Sequence, residues 1–138
     1  MPARDIYHDA LKNALLKDDW IITDDPLHIK WGLRDMYVDL GAKKLLAAQK
    51  AENKIAVEIK SFISPSEIQD FKEAVGSFVL YRAVMHRVEP ERTLYLAVRD
   101  NIYNALFQEP IGTLLVESDN IYLIVFNVDE EEIVQWIP

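Results

Sequence analysis

The chain contains no cysteine, which excludes disulfides and thiolate metal sites. It has no apolar run of about 18 residues, so no membrane-spanning helix is expected. Glycine is scarce, at four in 138 residues, and no Gly/Ser-rich linker, low-complexity segment or internal repeat divides the chain. The opening MPARDIYHDALKNALLKDDW lacks the basic start and apolar centre of a signal peptide. Positive charge is also scarce in one place. Residues 61–138 hold five Lys/Arg against thirteen Asp/Glu, whereas residues 1–60 hold ten of each. The net charge of −8 therefore belongs to the second part, which carries the acidic run Asp129 to Glu132.

What remains is 50% hydrophobic and 28% charged, the composition of one globular domain over 1–138 with a cytoplasmic location as the simplest expectation. An acidic chain is a poor unaided binder of nucleic acid, because phosphate affinity depends on Lys and Arg. Any DNA contact is expected from Lys30, Arg34, Lys43, Lys44, Lys50 and Lys54, which otherwise form ordinary solvated surface.

Ile6, Ala10, Leu11, Ala14 and Leu15 recur at helical spacing over 5–17. WIIT at 20–23 is a short strand, stopped by Asp24-Asp25-Pro26. Residues 26–34 are expected as a loop containing Gly32. In the strand 35–42, Tyr37 and Asp39 point one way and Met36, Val38 and Leu40 the other. The strand continues through 43–50, turns at 51–53 and pairs with a strand over 54–62. Ser64-Pro-Ser-Glu67 predicts a capped helix to about residue 87, with Ile68, Phe71, Val75, Phe78, Val79 and Met85 as its buried stripe. A strand at 93–98, helices at 100–107 and 110–117, and strands at 121–128 and 132–138 complete the order α-β-β-β-α-β-α-α-β-β. The expected fold class is α/β, a mixed sheet flanked by helices.

The stretch KIAVEIKSF (54–62) carries the chemistry. Alternation places Ile55, Val57 and Ile59 on one face and Ala56, Glu58 and Lys60 on the other. Charges on an otherwise apolar strand need a salt bridge, solvent or a metal to compensate them. Asp39, within YVDLG on the strand paired with 54–62, is expected to converge with Glu58. Two adjacent carboxylates repel unless a cation intervenes, and Mg²⁺ (or Mn²⁺) suits such oxygen ligands, with the Ile59 backbone carbonyl as a further one. Lys60 then orients a water or neutralises charge on a phosphate. The other reading of Glu58 and Lys60 is a structural ion pair.

An aspartate followed by Glu-x-Lys on the next strand, in a helix–strand–strand–strand–helix context, resembles the PD-(D/E)xK nuclease superfamily. Val38 stands where a proline often precedes the aspartate. Over the whole chain, ARDIYHDALKNALLKDDWIITDDPLHIKWG, DMYVDLGAKKLLAAQK, KIAVEIKSFISPSEI, EPIGTLLVE and IVQWIP resemble the XisH family, the cyanobacterial fdxN-element excision controlling factors. The resemblance implies a restriction-endonuclease-like fold and an accessory role in programmed, site-specific DNA excision. It also implies a XisI-family partner and a separate large serine recombinase that exchanges the strands. Some related nucleases carry Gln-x-x-x-Tyr in the helix after Glu-x-Lys, and the matching positions here are Ser77 and Tyr81. Asp9 on the first helix is a candidate to complete the site; a solvated helix face is the alternative.

The histidines at 8, 28 and 86 are scattered, without zinc-ligand spacing. Trp31 beside Lys30 and Arg34 is either a substrate-contacting loop or a buried anchor, while Trp20 and Trp136 are expected in the core. The apolar strand IYLIVFNV, if it lies at a sheet edge, would promote a homo-oligomer or a heteromeric contact. Three functions follow: a metal-dependent DNA endonuclease supporting element excision, a non-catalytic regulatory protein using the same fold to bind DNA or a partner, or a toxin-like nuclease held by that partner.

Overall fold

Leu11, Ala14 and Leu15 are fully buried at helical spacing, so helix α1 (His8–Lys17) turns one apolar stripe inward. The computed structural model in which this is seen describes residues 6–46 and 51–138. After α1 comes strand β1 (Ile21–Asp24), and then a hairpin where a loop was expected. Its arms are β2 (Leu27–Trp31) and β3 (Arg34–Val38). The physical reason is a period of two: Leu27 and Ile29 are buried and alternate with exposed His28 and Lys30. Gly32, at φ 61, and Leu33 make the two-residue connection that sets Trp31 opposite Arg34. Positive φ at the first central position is what such a tight turn demands, and glycine meets it without strain.

The expected strand 35–42 is broken at Asp39. On one side β3 pairs with β2; on the other, β4 (Leu40–Leu46) pairs with β1 and with β5 (Ala51–Ile59). The expected turn at 51–53 belongs to β5, whose ladder with β4 runs back to Leu46 opposite Ala51. Residues 47–50 of the expected strand 43–50, including Lys50, lie outside the described residues. β5 stops at Ile59 rather than at 62; Phe62, at φ 56, turns the chain away.

Helix α2 (Glu67–Val88) starts later than the Ser64–Glu67 box implied. Ser66 is the cap, its hydroxyl accepting from the Gln69 amide at 3.2 Å, so Pro65 precedes the cap instead of opening the helix. The buried stripe of α2 uses Phe71, Ala74, Phe78, Val84 and Met85, whereas Ile68 and Val79 of the expected stripe are exposed. Strand β6 (Arg92–Arg99), helices α3 (Asp100–Ala105) and α4 (Pro110–Ser118), and strands β7 (Leu123–Asn127) and β8 (Glu132–Ile137) follow.

The main sheet has the order β1-β4-β5-β6-β7-β8, with β5, β6 and β7 parallel and the other pairings antiparallel. It is a mixed sheet flanked by helices, as expected. Alternation divides the core into two layers. Ala56, Leu94, Leu96, Leu123 and Val125 face α2 and the hairpin residues Leu27, Ile29 and Val38. Ile55, Val57, Ile59, Ala97, Ile124 and Phe126 face α1 and Trp20. Strands β6 and β7 are apolar on both sides because both faces are covered.

β7 is an inner strand between β6 and β8, so the edge pairing expected of IYLIVFNV has no edge to act through. Trp20 and Trp136 lie together on the α1 side with ring centroids 5.6 Å apart. Among the described residues no helix is long and apolar enough to cross a membrane.

Candidate functional site

The break between β3 and β4 brings two carboxylates together. Leu40 pairs with Val57, so Asp39, one residue earlier, comes opposite Glu58, one residue later. The Ile59 amide donates to Asp39 Oδ2 at 2.8 Å, and the Asp39 amide donates to Glu58 Oε1 at 3.3 Å. Each acid thus binds the backbone of the other's strand just where regular pairing ends. The side chain of Asp39 takes the place that a carbonyl would hold in a continued ladder. Both residues are half-buried.

Glu58 and Lys60 project toward α2, the side of the sheet that Ala56 also faces. They stand at the carboxyl end of β5, whose neighbour β6 runs parallel to it. Ligands of α/β sheets collect outside such carboxyl ends. Tyr81, on α2, faces the same place. Burial, the charge of Glu58 and then the charge of Asp39 hold its phenol above the usual tyrosine range. Ser77 lies one helical turn before Tyr81 and is half-buried.

Lys60 has partners that the sequence reading did not name. Its ammonium donates to Glu73 Oε2 at 2.9 Å and lies 3.9 Å from Asp70 Oδ1. The Lys60 hydrogen bond, with help from Gln69, holds the Glu73 carboxyl below the usual glutamate range. Asp70 is itself buried and accepts from the Ser64 amide at 3.1 Å, which ties the β5–α2 loop to the helix. Asp70 and Glu73, three residues apart on α2, share one face, but nothing local to the sequence says that this face meets Lys60.

The remaining candidates are spread over the surface. Asp9 is exposed on α1, the helix packed on the opposite face of the sheet. Lys43 pairs with Glu52 at 3.2 Å; Lys44 lies 3.8 Å from Asp18 and over the Trp20 ring. Lys30, Trp31 and Arg34 are exposed at the hairpin end, so Trp31 is not the buried anchor of the alternative reading.

Among the described residues no group of three or more His, Cys, Asp or Glu side chains could hold a metal ion. The oxygen donors here are two carboxylates, Asp39 and Glu58, and the carbonyl of Ile59, the residue after Glu58. That set suits Mg²⁺ in particular, which commonly takes one or two carboxylates and completes its shell with water and substrate phosphate.

Known proteins resemble the chain throughout its length. The family model for XisH protein matches residues 1–134. No curated protein matches the chain. The crystal structure of an fdxN element excision controlling factor protein from Anabaena variabilis is similar at 40% identity and a TM-score of 0.88, covering 98% of this chain and 100% of that one. The crystal structure of an XisH family protein from Nostoc punctiforme is similar at 37% identity and a TM-score of 0.88, covering 97% of this chain and 100% of that one.

Proposed function

The chain belongs to the XisH family, and from that premise we propose that it is an accessory factor in site-specific excision of a DNA element, with a metal-dependent phosphodiester-cleaving site at Asp39, Glu58 and Lys60. The observation that carries the reading is the mutual bonding of Asp39 and Glu58 at a strand break, beside the carboxyl end of β5. The arrangement resembles that of the PD-(D/E)xK nucleases, and a mixed sheet with α1 on one face and α2 on the other is compatible with a restriction-endonuclease-like fold.

Asp39, Glu58 and the Ile59 carbonyl would hold Mg²⁺ or Mn²⁺, which would supply charge neutralisation at the phosphate and a water of lowered pKa. Asp39 keeps its aim through the Ile59 amide, and Glu58 through the Asp39 amide. Lys60 carries the cation that orients the attacking water, with Glu73 and Asp70 fixing its ammonium over α2. Tyr81 closes the α2 side with a neutral phenol. A XisI-family partner supplies positive surface that this chain lacks, and a serine recombinase performs the strand exchange. The setting is the cytoplasm.

The Lys60–Glu73 bond favours a second reading, in which the same fold regulates the recombinase without cutting DNA. An ammonium already engaged by a carboxylate at 2.9 Å is less available to a substrate. Supercoiled plasmid incubated with Mg²⁺ or Mn²⁺ separates the two. The nuclease reading expects nicking that disappears in Glu58→Gln and Lys60→Ala, and calorimetric metal binding that disappears in Asp39→Asn. A wild-type protein that leaves the plasmid intact, alone and with its partner, establishes the regulatory reading instead.

A further inference from the structure

The hairpin β2–β3 leaves its outer end uncovered. Leu33, in its connection, is 95% exposed and Trp31 is 53% exposed. Trp20 and Trp136 pack against each other at a tilt of 36°, but Trp31 has no ring or cation–π contact among the described residues. An exposed tryptophan next to an almost fully exposed leucine keeps apolar area in water, which is unfavourable unless something else covers it.

The charges around this tip identify the occupant. Lys12, Lys43, Lys44, Lys60 and Arg92 all have acidic partners. Lys30 and Arg34 have none among the described residues. Asp35, the acid on the hairpin itself, is taken up by His28 at 2.7 Å. Lys54, Lys72 and Arg87 also lack an acidic partner among the described residues, but Lys30 and Arg34 are the ones beside an open indole: Arg34 stands opposite Trp31 across the hairpin, and Lys30 precedes it on the other face of the strand. Cations flanking an aromatic face match the phosphates and bases of nucleic acid. An apolar side chain at the tip is the usual wedge between unstacked bases.

We propose that the β2–β3 hairpin is a DNA-reading arm, in which Trp31 stacks on an unpaired base, Leu33 wedges beside it, and Lys30 and Arg34 take the flanking phosphates. This rests on the reading of the protein as a DNA-acting factor. The arm is continuous with the site, because β3 leads directly into Asp39. The five residue steps from Arg34 to Asp39 span about 17 Å of strand. At about 3.4 Å per nucleotide along a duplex, the base held by Trp31 lies within about five steps of the phosphate at Asp39.

The test is fluorescence anisotropy with the full chain, at low ionic strength and without divalent metal. The probes are a labelled duplex with a central mismatch bubble and the same duplex fully paired. The wild type is expected to prefer the bubble. Trp31→Ala should lose about tenfold on the bubble and little on the paired duplex, and Trp31→Phe should keep most of the preference. Lys30→Gln with Arg34→Gln should weaken both and reduce the slope of log affinity against log salt by about two. Bubble-selective, Trp31-dependent binding in a protein that never cleaves DNA supports the arm while overturning the nuclease reading. Trp31→Ala indistinguishable from wild type on both probes overturns the arm, whatever happens to cleavage. So does loss of association with another protein as the sole effect of that substitution.

Discussion

At the scale of single residues, Asp25 shows how this chain uses a carboxylate for structure. It accepts from His8 Nε2 and from Lys12 Nζ, each at 2.8 Å, and so pins the end of β1 to α1. Burial pushes the Asp25 carboxyl up, but the Lys12 hydrogen bond and the charge and hydrogen bond of His8 together outweigh it, leaving the group below its ordinary value of 3.8. A depressed carboxylate contributes stability that is complete above its unfolded value and fades as the pH falls through the folded one. Asp25→Asn is therefore expected to cost about 1–3 kcal/mol near neutral pH. The gap in melting temperature between variant and wild type should close in strong acid. A gap that stays constant through acid would place the effect elsewhere. Tyr81 gives a second readout, independent of activity. Because Glu58 raises its phenol pKa, Glu58→Gln should lower it in an ultraviolet titration corrected with Tyr81→Phe. Saturating Mg²⁺ should act in the same direction. An unmoved titration in both cases would separate Tyr81 from the acidic pair.

At the scale of elements, α2 depends on its cap and α4 on a glycine. Ser66→Ala removes the hydroxyl that accepts from the Gln69 amide and is expected to cost about 1 kcal/mol, measured by denaturant unfolding. Gly112 is a closer constraint. A Cβ there would stand 2.5 Å from the Leu106 carbonyl oxygen and 2.6 Å from the Phe107 Cα, both backbone atoms that cannot swing aside. Gly112→Ala should cost about 1–3 kcal/mol by overpacking; an unchanged midpoint would mean that α4 shifts freely.

These elements also show what could be read from the chain alone. The pairing of the strand after Asp39 with the strand that ends at Ile59 was legible from alternation, and it set Asp39 against Glu58; the break that gives 36–38 to the hairpin was not. The hairpin does not follow from the turn signals, because Pro26 and Gly32 point to a loop over 26–34, although Leu27-His28-Ile29-Lys30 alternates within it. The helix start was misplaced because Ser64 and Ser66 both head box-like spacings, and Asp70 reserves the Ser64 amide for itself. The partners of Lys60 were not legible. Whether Asp70 and Glu73 reach it depends on how α2 lies across the sheet, which no local pattern states.

At the scale of the whole molecule, charge and topology set what the protein can do alone. With a net charge of −8, the isolated chain is expected to bind DNA in the micromolar range or weaker and to lose that binding as salt rises. Adding a XisI-family partner should tighten it; nanomolar affinity in the partner's absence would remove the need for a second positive surface. The two-layer core rests on β6 and β7, which are covered on both faces.

The break at Asp39 has a mechanical consequence. The same covalent segment ends the hairpin on one side and begins β4 on the other, and Leu27, Ile29 and Val38 clamp the hairpin against α2. The arm is thus a lever with its fulcrum in the core and an acid at its short end. A load applied at Leu33 is felt as torque on a carboxylate that accepts from the Ile59 amide.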